Sequence, residues 1–276
     1  MLSKIREFFG FLKMILSKFL FPSLFIFLLV SESLANPLNV STDTVENNNL
    51  DLDGSIKADY TYNIDSNVVY TLNGQILSNG YDLTKQGDGT LILNANSSNF
   101  GNAISNTFNI EGGLVGIGNN ESFGSINNTI SLEGGGISSS NTSSRSISND
   151  INITSSTTIG DATNNGALTL SGDVSISGDK YTITSNSNNT FSGAVNLGGQ
   201  NITFDTSSGV TSTISGVVSN GNVVKSGSGT LKLTGTNTQS QTVLNGGILE
   251  VATDRGLGSE PGSLVSDNIR IADSTL

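Results

Sequence analysis

The chain has 276 residues, with 12 basic against 23 acidic side chains for a net charge of −11, and neither His nor Cys. Without His it lacks the commonest general base and metal ligand, and without Cys it has no thiol nucleophile and no disulfide framework. The acidic balance repels phosphate backbones and argues against a nucleic-acid partner.

The N-terminus reads as a secretory signal peptide over residues 1–35. Lys4, Arg6, Lys13 and Lys18 precede a 12-residue apolar core, FLFPSLFIFLLV (residues 19–30), and SESLA places Ser33 and Ala35 at the small-residue positions before a cleavage point. Cleavage is expected between Ala35 and Asn36. A membrane anchor is the rival, but a helix needs about 20 apolar residues to span the hydrocarbon core. Four of the 12 basic and two of the 23 acidic residues fall in this segment, so the mature part carries 8 − 21 = −13. Seven of the 12 Phe fall there too, which leaves few large apolar side chains for a single-core globule. A solenoid needs fewer, because each turn of chain stacks only on its neighbours.

Residues 36–66 are expected as an N-terminal cap or linker, and residues 67–276 as a repetitive β segment. Within the first of these, Asp51-Leu52-Asp53-Gly54 looks like half a calcium loop, yet Leu52 is apolar and no bidentate Glu follows at the right distance.

The first repeat, over about 82–117, opens with KQGDGTLIL (Lys85, Gly87, Gly89, Thr90, Leu91, Leu93). It is followed after 17 residues by EGGLVGI, with Gly112 and Gly113. In G-x-L-x-L the leucines alternate with Thr90 and Ile92, so a period of two sends Leu91 and Leu93 to one face of a strand. The flanking Gly-x-Gly supplies backbone freedom for a tight turn into it. Weaker copies of this frame follow at GALTLSG (166–172) and GAVNLGG (193–199). Short alternating pairs lie around them: Ile151/Ile153, Val174/Ile176, Tyr181/Ile183 and Ile202/Phe204. The serine-rich stretch 138–149 is expected as a loop between turns of the solenoid. The Asn, Ser, Thr and Gly enrichment fits stacked turns whose side chains hydrogen-bond along the axis.

The second repeat, over about 223–259, restates the first. KSGSGTLKL (Lys225, Gly227, Gly229, Thr230, Leu231, Leu233) shares six of nine positions with the opening motif. After 11 residues comes NGGILEV, with Gly246, Gly247, Leu249 and Val251. Equal cores with unequal spacers are what stacked repeats show when insertions fall in loops.

The block Val223–Ser259 resembles the autotransporter-associated β-strand repeat, the passenger-associated transport repeat. The likeness also covers Gly235, Asn237, Val243, Gly256, Leu257, Gly258 and Ser259. It departs at TQSQT (238–242), where a Tyr-Thr-Gly-Gly type turn is usual, and in the first copy at Asn94-Ala95, where Thr-Gly is usual. The resemblance implies an all-β fold, a right-handed parallel β-helix, in the passenger segment of a Gram-negative surface or secreted protein. At roughly 20–25 residues per coil, nine or ten coils fit a rod about 45 Å long. NIRIADSTL (268–276) reads as the start of a new strand pair, with no barrel pattern after it, so a passenger truncated before its barrel is expected.

No chemistry emerges from the motifs. GSGSGT lacks the G-K-[ST] ending of a phosphate loop and reads as a turn into a strand. The Asp residues Asp82, Asp88, Asp161, Asp173 and Asp179 lie in turns rather than grouped with cations, unlike polysaccharide-cleaving β-helices. The expectation is a non-enzymatic passenger stalk, with no catalytic, metal-binding or cofactor-binding residues, no cofactor and no small-molecule substrate. Its partners would be the outer-membrane translocation machinery or a barrel encoded downstream. The alternative is an adhesin module that binds host or neighbouring cell surfaces. Either places the chain at the cell surface, in the outer membrane or outside the cell, or in the periplasm if it lacks a barrel.

Overall fold

A computed structural model of the chain describes residues 37–51, 58–260, 262–263 and 268–272. The chain divides into two units, Met1–Leu38 and Asn39–Leu276. The expected signal peptide, with Ala35 and Asn36, lies outside the described residues, as do Leu52, Asp53 and Gly54. The described part is all β, with a short 3-10 turn at Asp254–Leu257 and no α-helix.

The second unit is a parallel β-solenoid of about nine turns. Each turn of chain runs along up to three faces, and strands pair in parallel with their counterparts in neighbouring turns. The first face carries, among others, Tyr60–Ile64, Leu83–Gln86, Thr107–Ile110, Thr129–Leu132, Asp150–Ile153 and Val174–Ile176. The second carries Val69–Leu72, Thr90–Leu93, Leu114–Ile117, Gly136–Ser139, Thr157–Ile159, Thr182–Ser185 and later Gln241–Leu244. The third carries Arg145–Ile147, Leu168–Leu170, Asn189–Phe191, Thr211–Ile214, Thr230–Leu233 and Ile248–Val251. Val195–Thr206 and Val218–Ser226 run from the first face into the second without a break, with a register shift between Asn196 and Gln200.

Period-two alternation builds the interior. Residues in register one turn apart form apolar columns: Tyr70, Leu91, Val115, Ile137 and Ile159 on the second face, and Phe108, Ile130, Ile151, Val174, Val195 and Val218 on the first. All of them are buried. Phenylalanines fill the wider parts, with Phe108 edge-on to both Phe100 (6.4 Å) and Phe123 (5.0 Å). Burying each such side chain contributes about 1.5–3 kcal/mol, which a thin rod gathers from one turn to the next.

Thr44–Glu46 and Leu50–Asp51, within the stretch expected as cap or linker, pair in parallel with the following turn. The stretch 138–149 is not a simple loop. Ser138 and Ser139 end a strand, Arg145–Ile147 is another, and Ile147 and Asn149 are buried. Asn149 donates through Nδ2 to Ser125 O (2.7 Å) and Asn128 O (3.2 Å), so a polar residue takes a core position with its donors satisfied.

Candidate functional site

The two repeats build two glycine corners, each closed by a buried lysine. In the first, Gly87 (φ +72°) and Gly89 turn the chain from Leu83–Gln86 into Thr90–Leu93. In the second, Gly227 (φ +71°) and Gly229 turn it from Val218–Ser226 into Thr230–Leu233. One turn further on, Gly112-Gly113 and Gly246-Gly247 stack on these corners, with φ of +62° at Gly113 and +70° at Gly247. A side chain at Gly247 would place Cβ 2.3 Å from Gly227 O and 2.5 Å from Gly229 O. At Gly113 it would meet Gly89 O at 2.1 Å. Only glycine permits both that φ and that approach.

Gly89 and Gly229 are required for closeness alone, since neither has a left-handed φ. A Cβ there would lie 2.3 Å from Asp65 O and 2.1 Å from Ser207 O, respectively. Their N–H groups donate to Ile64 O (3.0 Å) and Thr206 O (2.8 Å) in the preceding turn. These corners therefore offer no free N–H cradle to an anion at those positions.

Their carbonyls face a cation instead. Lys85 Nζ donates to Gln86 O (2.8 Å), Gly87 O (2.8 Å) and Gly112 O (3.1 Å). Lys225 Nζ donates to Ser226 O, Gly227 O (2.9 Å) and Gly246 O (3.3 Å). Both lysines are 0% exposed. They sit in the core columns themselves, Lys85 in register with Tyr62 and Ile110, and Lys225 with Phe204 and Leu244. Burial pushes the Lys85 ammonium from 10.5 down to about 8, opposed by the Asp88 carboxylate. Burial lowers Lys225 as well, opposed by Asp205. In the first copy the counter-charge comes from within the corner; in the second it comes from the turn before.

Leu91, Leu93, Leu231 and Leu233 are buried. Thr90 and Thr230 are half-buried at the corner exit, and Leu249 stands in register with Leu231 and Val251 with Leu233. Lys232 points outward and pairs with Glu250 at 3.1 Å. Asn237, buried, accepts from Val218 N (2.9 Å) and donates to Gly256 O (2.9 Å), so it joins its own turn to a residue of the next. At the matching place in the first copy, Ser97 Oγ accepts from Ile76 N (3.0 Å), a shorter side chain making the same kind of tie. In the divergent turn 238–242, buried Gln239 donates to Thr242 Oγ1 (3.1 Å) and Gly256 O (3.1 Å).

Side-chain ties also line the outer corners. Asp82 N donates to Asp59 Oδ1 (2.9 Å) and Thr107 N to Asp82 Oδ1 (2.7 Å). Asp173 N donates to Asp150 Oδ1 (2.8 Å) and Ala194 N to Asp173 Oδ1 (2.9 Å). Asn47, Asn73 and Asn94 form an amide ladder at 2.9 and 2.7 Å. The acidic residues satisfy backbone donors of the next turn, and the amides bond side chain to side chain from one turn to the next. Among the described residues no group of three or more acidic side chains is gathered to hold a metal.

The passenger-associated transport repeat family matches residues 83–115 and 223–251, the two lysine-closed corners and the strands that leave them. Together the two matches cover 62 of the 276 residues. On a parallel β-solenoid they are consistent with an autotransporter passenger, which implies an exported protein at the surface or outside the cell. No curated protein and no solved structure is significantly similar to the chain.

What the sequence reading missed is the direction of the two lysines. The signal was present: Lys85 keeps the parity of inward Leu83, and Lys225 that of Val223.

Proposed function

We propose that this chain is a non-enzymatic stalk of an autotransporter passenger, whose repeats help it fold and so complete its own translocation. The observation that carries the reading is the duplicated corner. Each family match coincides with a place where two successive turns are tied by buried polar contacts, so each is a point at which an added turn is held on the growing rod. Asp82, Asp161, Asp173 and Asp179, which a polysaccharide-cleaving β-helix would group for chemistry, here accept from backbone N–H groups. The partners on this reading are the outer-membrane translocation machinery and a barrel.

Joining residues 1–276 to an autotransporter barrel and scoring surface protease accessibility tests it. The intact segment should reach the surface. Deletion of residues 83–117 or 223–259 should leave material in the periplasm. Equal display of all three would overturn the reading. Mass spectrometry of the exported chain should place its first residue at Asn36.

An adhesin module is the second reading, favoured by one feature. An open groove of about 310 Å3 lies between the turns 186–188 and 207–210. Asn165, Asn186, Asn188, Ser207 and Ser208 line it with uncharged polar groups. Binding of the mature chain to cells, lost on Ser208→Trp, would support this reading.

A further inference from the structure

Each buried lysine is surrounded by the carbonyls of two turns of chain, two from its own corner and one from the corner stacked on it. The left-handed glycines aim these carbonyls inward, and a backbone carbonyl left buried without a donor is costly. An ammonium group carries three donors and no acceptor. Three carbonyls stand around each Nζ, so donors and acceptors match in number at both sites. The match recurs although the two corners lie between different pairs of faces and draw on different carboxylates. A contact that merely filled space would need no such match, since the core columns elsewhere hold Ile, Leu, Val and Phe.

The geometry points to a primary-ammonium receptor in each repeat, built from glycine-corner carbonyls of consecutive turns, with the repeat's own lysine as its tethered ligand. The lysine thereby clamps the turn it begins to the turn that follows. This reaches beyond export: the clamp stands or falls on stability measurements of the mature chain, whether or not the chain is a translocation stalk.

Truncation of Lys225 to Ala leaves a channel shaped like the missing propylammonium portion, ending at the carbonyls of Ser226, Gly227 and Gly246. The full mature chain and its Lys225→Ala and Lys225→Met variants would be refolded in sodium chloride, in n-propylammonium chloride of equal concentration, or in sodium chloride with n-propanol. Protease resistance of the C-terminal turns is then timed. Both variants should be cleaved about tenfold faster or more than the wild type, because carbonyls lose their donors. n-Propylammonium should recover a large part of the loss in Lys225→Ala. n-Propanol, with one donor and the same volume, should not. Lys225→Met should gain nothing from the amine, because its own side chain blocks the channel.

Wild-type resistance in Lys225→Met would overturn the inference, since an apolar side chain would then serve as well. Equal rescue by propanol would overturn it too, by showing that volume alone matters. If Lys225→Ala does not fold even with the amine, the comparison of Lys225→Met with wild type decides. Lys85→Ala and Lys85→Met should repeat the pattern in the N-terminal turns.

Discussion

Lys85 and Lys225 make the same three-carbonyl contact from different faces of the solenoid. Lys85 ends a strand of the first face and its corner opens the second. Lys225 lies on the second face, in register with Phe204 and Leu244, and its corner opens the third. The repeat is therefore a corner unit, indifferent to which two faces it joins. What it specifies is local: an inward lysine, a left-handed glycine, a close-packed glycine, and a strand of alternating leucines. The stacked Gly-Gly of the next turn completes it.

The leucine alternation gives the first test. Leu231 is 0% exposed, whereas Lys232 faces outward in an exposed pair with Glu250. Leu231→Ala should cost about 2–5 kcal/mol through lost transfer energy and a cavity. Lys232→Ala should stay within about 0.5 kcal/mol, since exposed ion pairs contribute little. Urea unfolding of the two variants reads the difference. Protease cleavage in Leu231→Ala should begin in the C-terminal turns, because turns contact only their neighbours. Equal costs at the two positions would refute the buried face.

Glycines of equal backbone angle should differ sharply in tolerance. Gly209 (φ +75°) has nothing within 4 Å of a prospective Cβ, while Gly247 (φ +70°) would meet Gly227 O at 2.3 Å. Gly209→Ala should cost about 1–2 kcal/mol from the left-handed conformation alone. Gly247→Ala carries the same strain and must also force two corners apart, so its urea midpoint should fall well below that of Gly209→Ala. Gly229→Val should resemble Gly247→Ala, though its φ is ordinary, because Ser207 O lies 2.1 Å from the new Cβ. Similar losses at Gly209 and Gly247 would mean that the corners yield easily.

The inward leucines were legible because period two is a strong signal and leucine belongs inside. Lys85 and Lys225 share their parity, but a lysine is almost never fully buried, so composition argues against what alternation proposes. The contacts that reverse the expectation come from Gly112 and Gly246, more than twenty residues downstream by chain but adjacent in the fold. The step of one face between the copies left no local mark either. It depends on Val195–Thr206 and Val218–Ser226 passing a corner as continuous strands, which short alternating pairs do not announce. Serines at 138–149 suggested a loop because serine favours turns; Ser139 instead bonds locally to Ser143 O, and Ser148 Oγ accepts from Ser171 Oγ of the next turn.

Stability should pass through a maximum in alkaline solution. Lys85 has a folded pKa of about 8 against 10.5 ordinarily. Between those values the unfolded chain binds more protons than the folded one, so stability rises with pH. The buried tyrosines act in reverse. Tyr70 is pushed up to about 12, and Tyr60 and Tyr62 are raised as well, all chiefly by burial. Above about pH 10 the unfolded chain loses phenol protons that the folded one keeps, and stability falls. Urea titrations from pH 7 to 11 should show the rise in wild type and a smaller one in Lys85→Met, where Lys225, also lowered by burial, still contributes. Tyr70→Phe should soften the later fall. A wild-type profile parallel to that of Lys85→Met would remove the lysine from the account.

The last described strands expose apolar side chains. Among the described residues, Ile248–Val251 pairs only with Thr230–Leu233, and Ile269–Ile271 only with Gln241–Leu244. Ile248, Val251, Ile269 and Ile271 on these strands are exposed. The columns make the change plain: Leu233 is 2% exposed, and Val251, in register with it one turn later, is 39% exposed. Exposed apolar strand residues are a template for a further strand, and the purified chain of residues 36–276 should self-associate through them. Sedimentation velocity should show a species that grows with concentration. Ile248→Lys with Ile271→Lys should shift it towards monomer, because charge on an edge opposes pairing. A circular dichroism spectrum of strand type in both proteins would show that the fold survives the change. A wild type that stays monomeric at every concentration would mean that these residues do not drive association in solution.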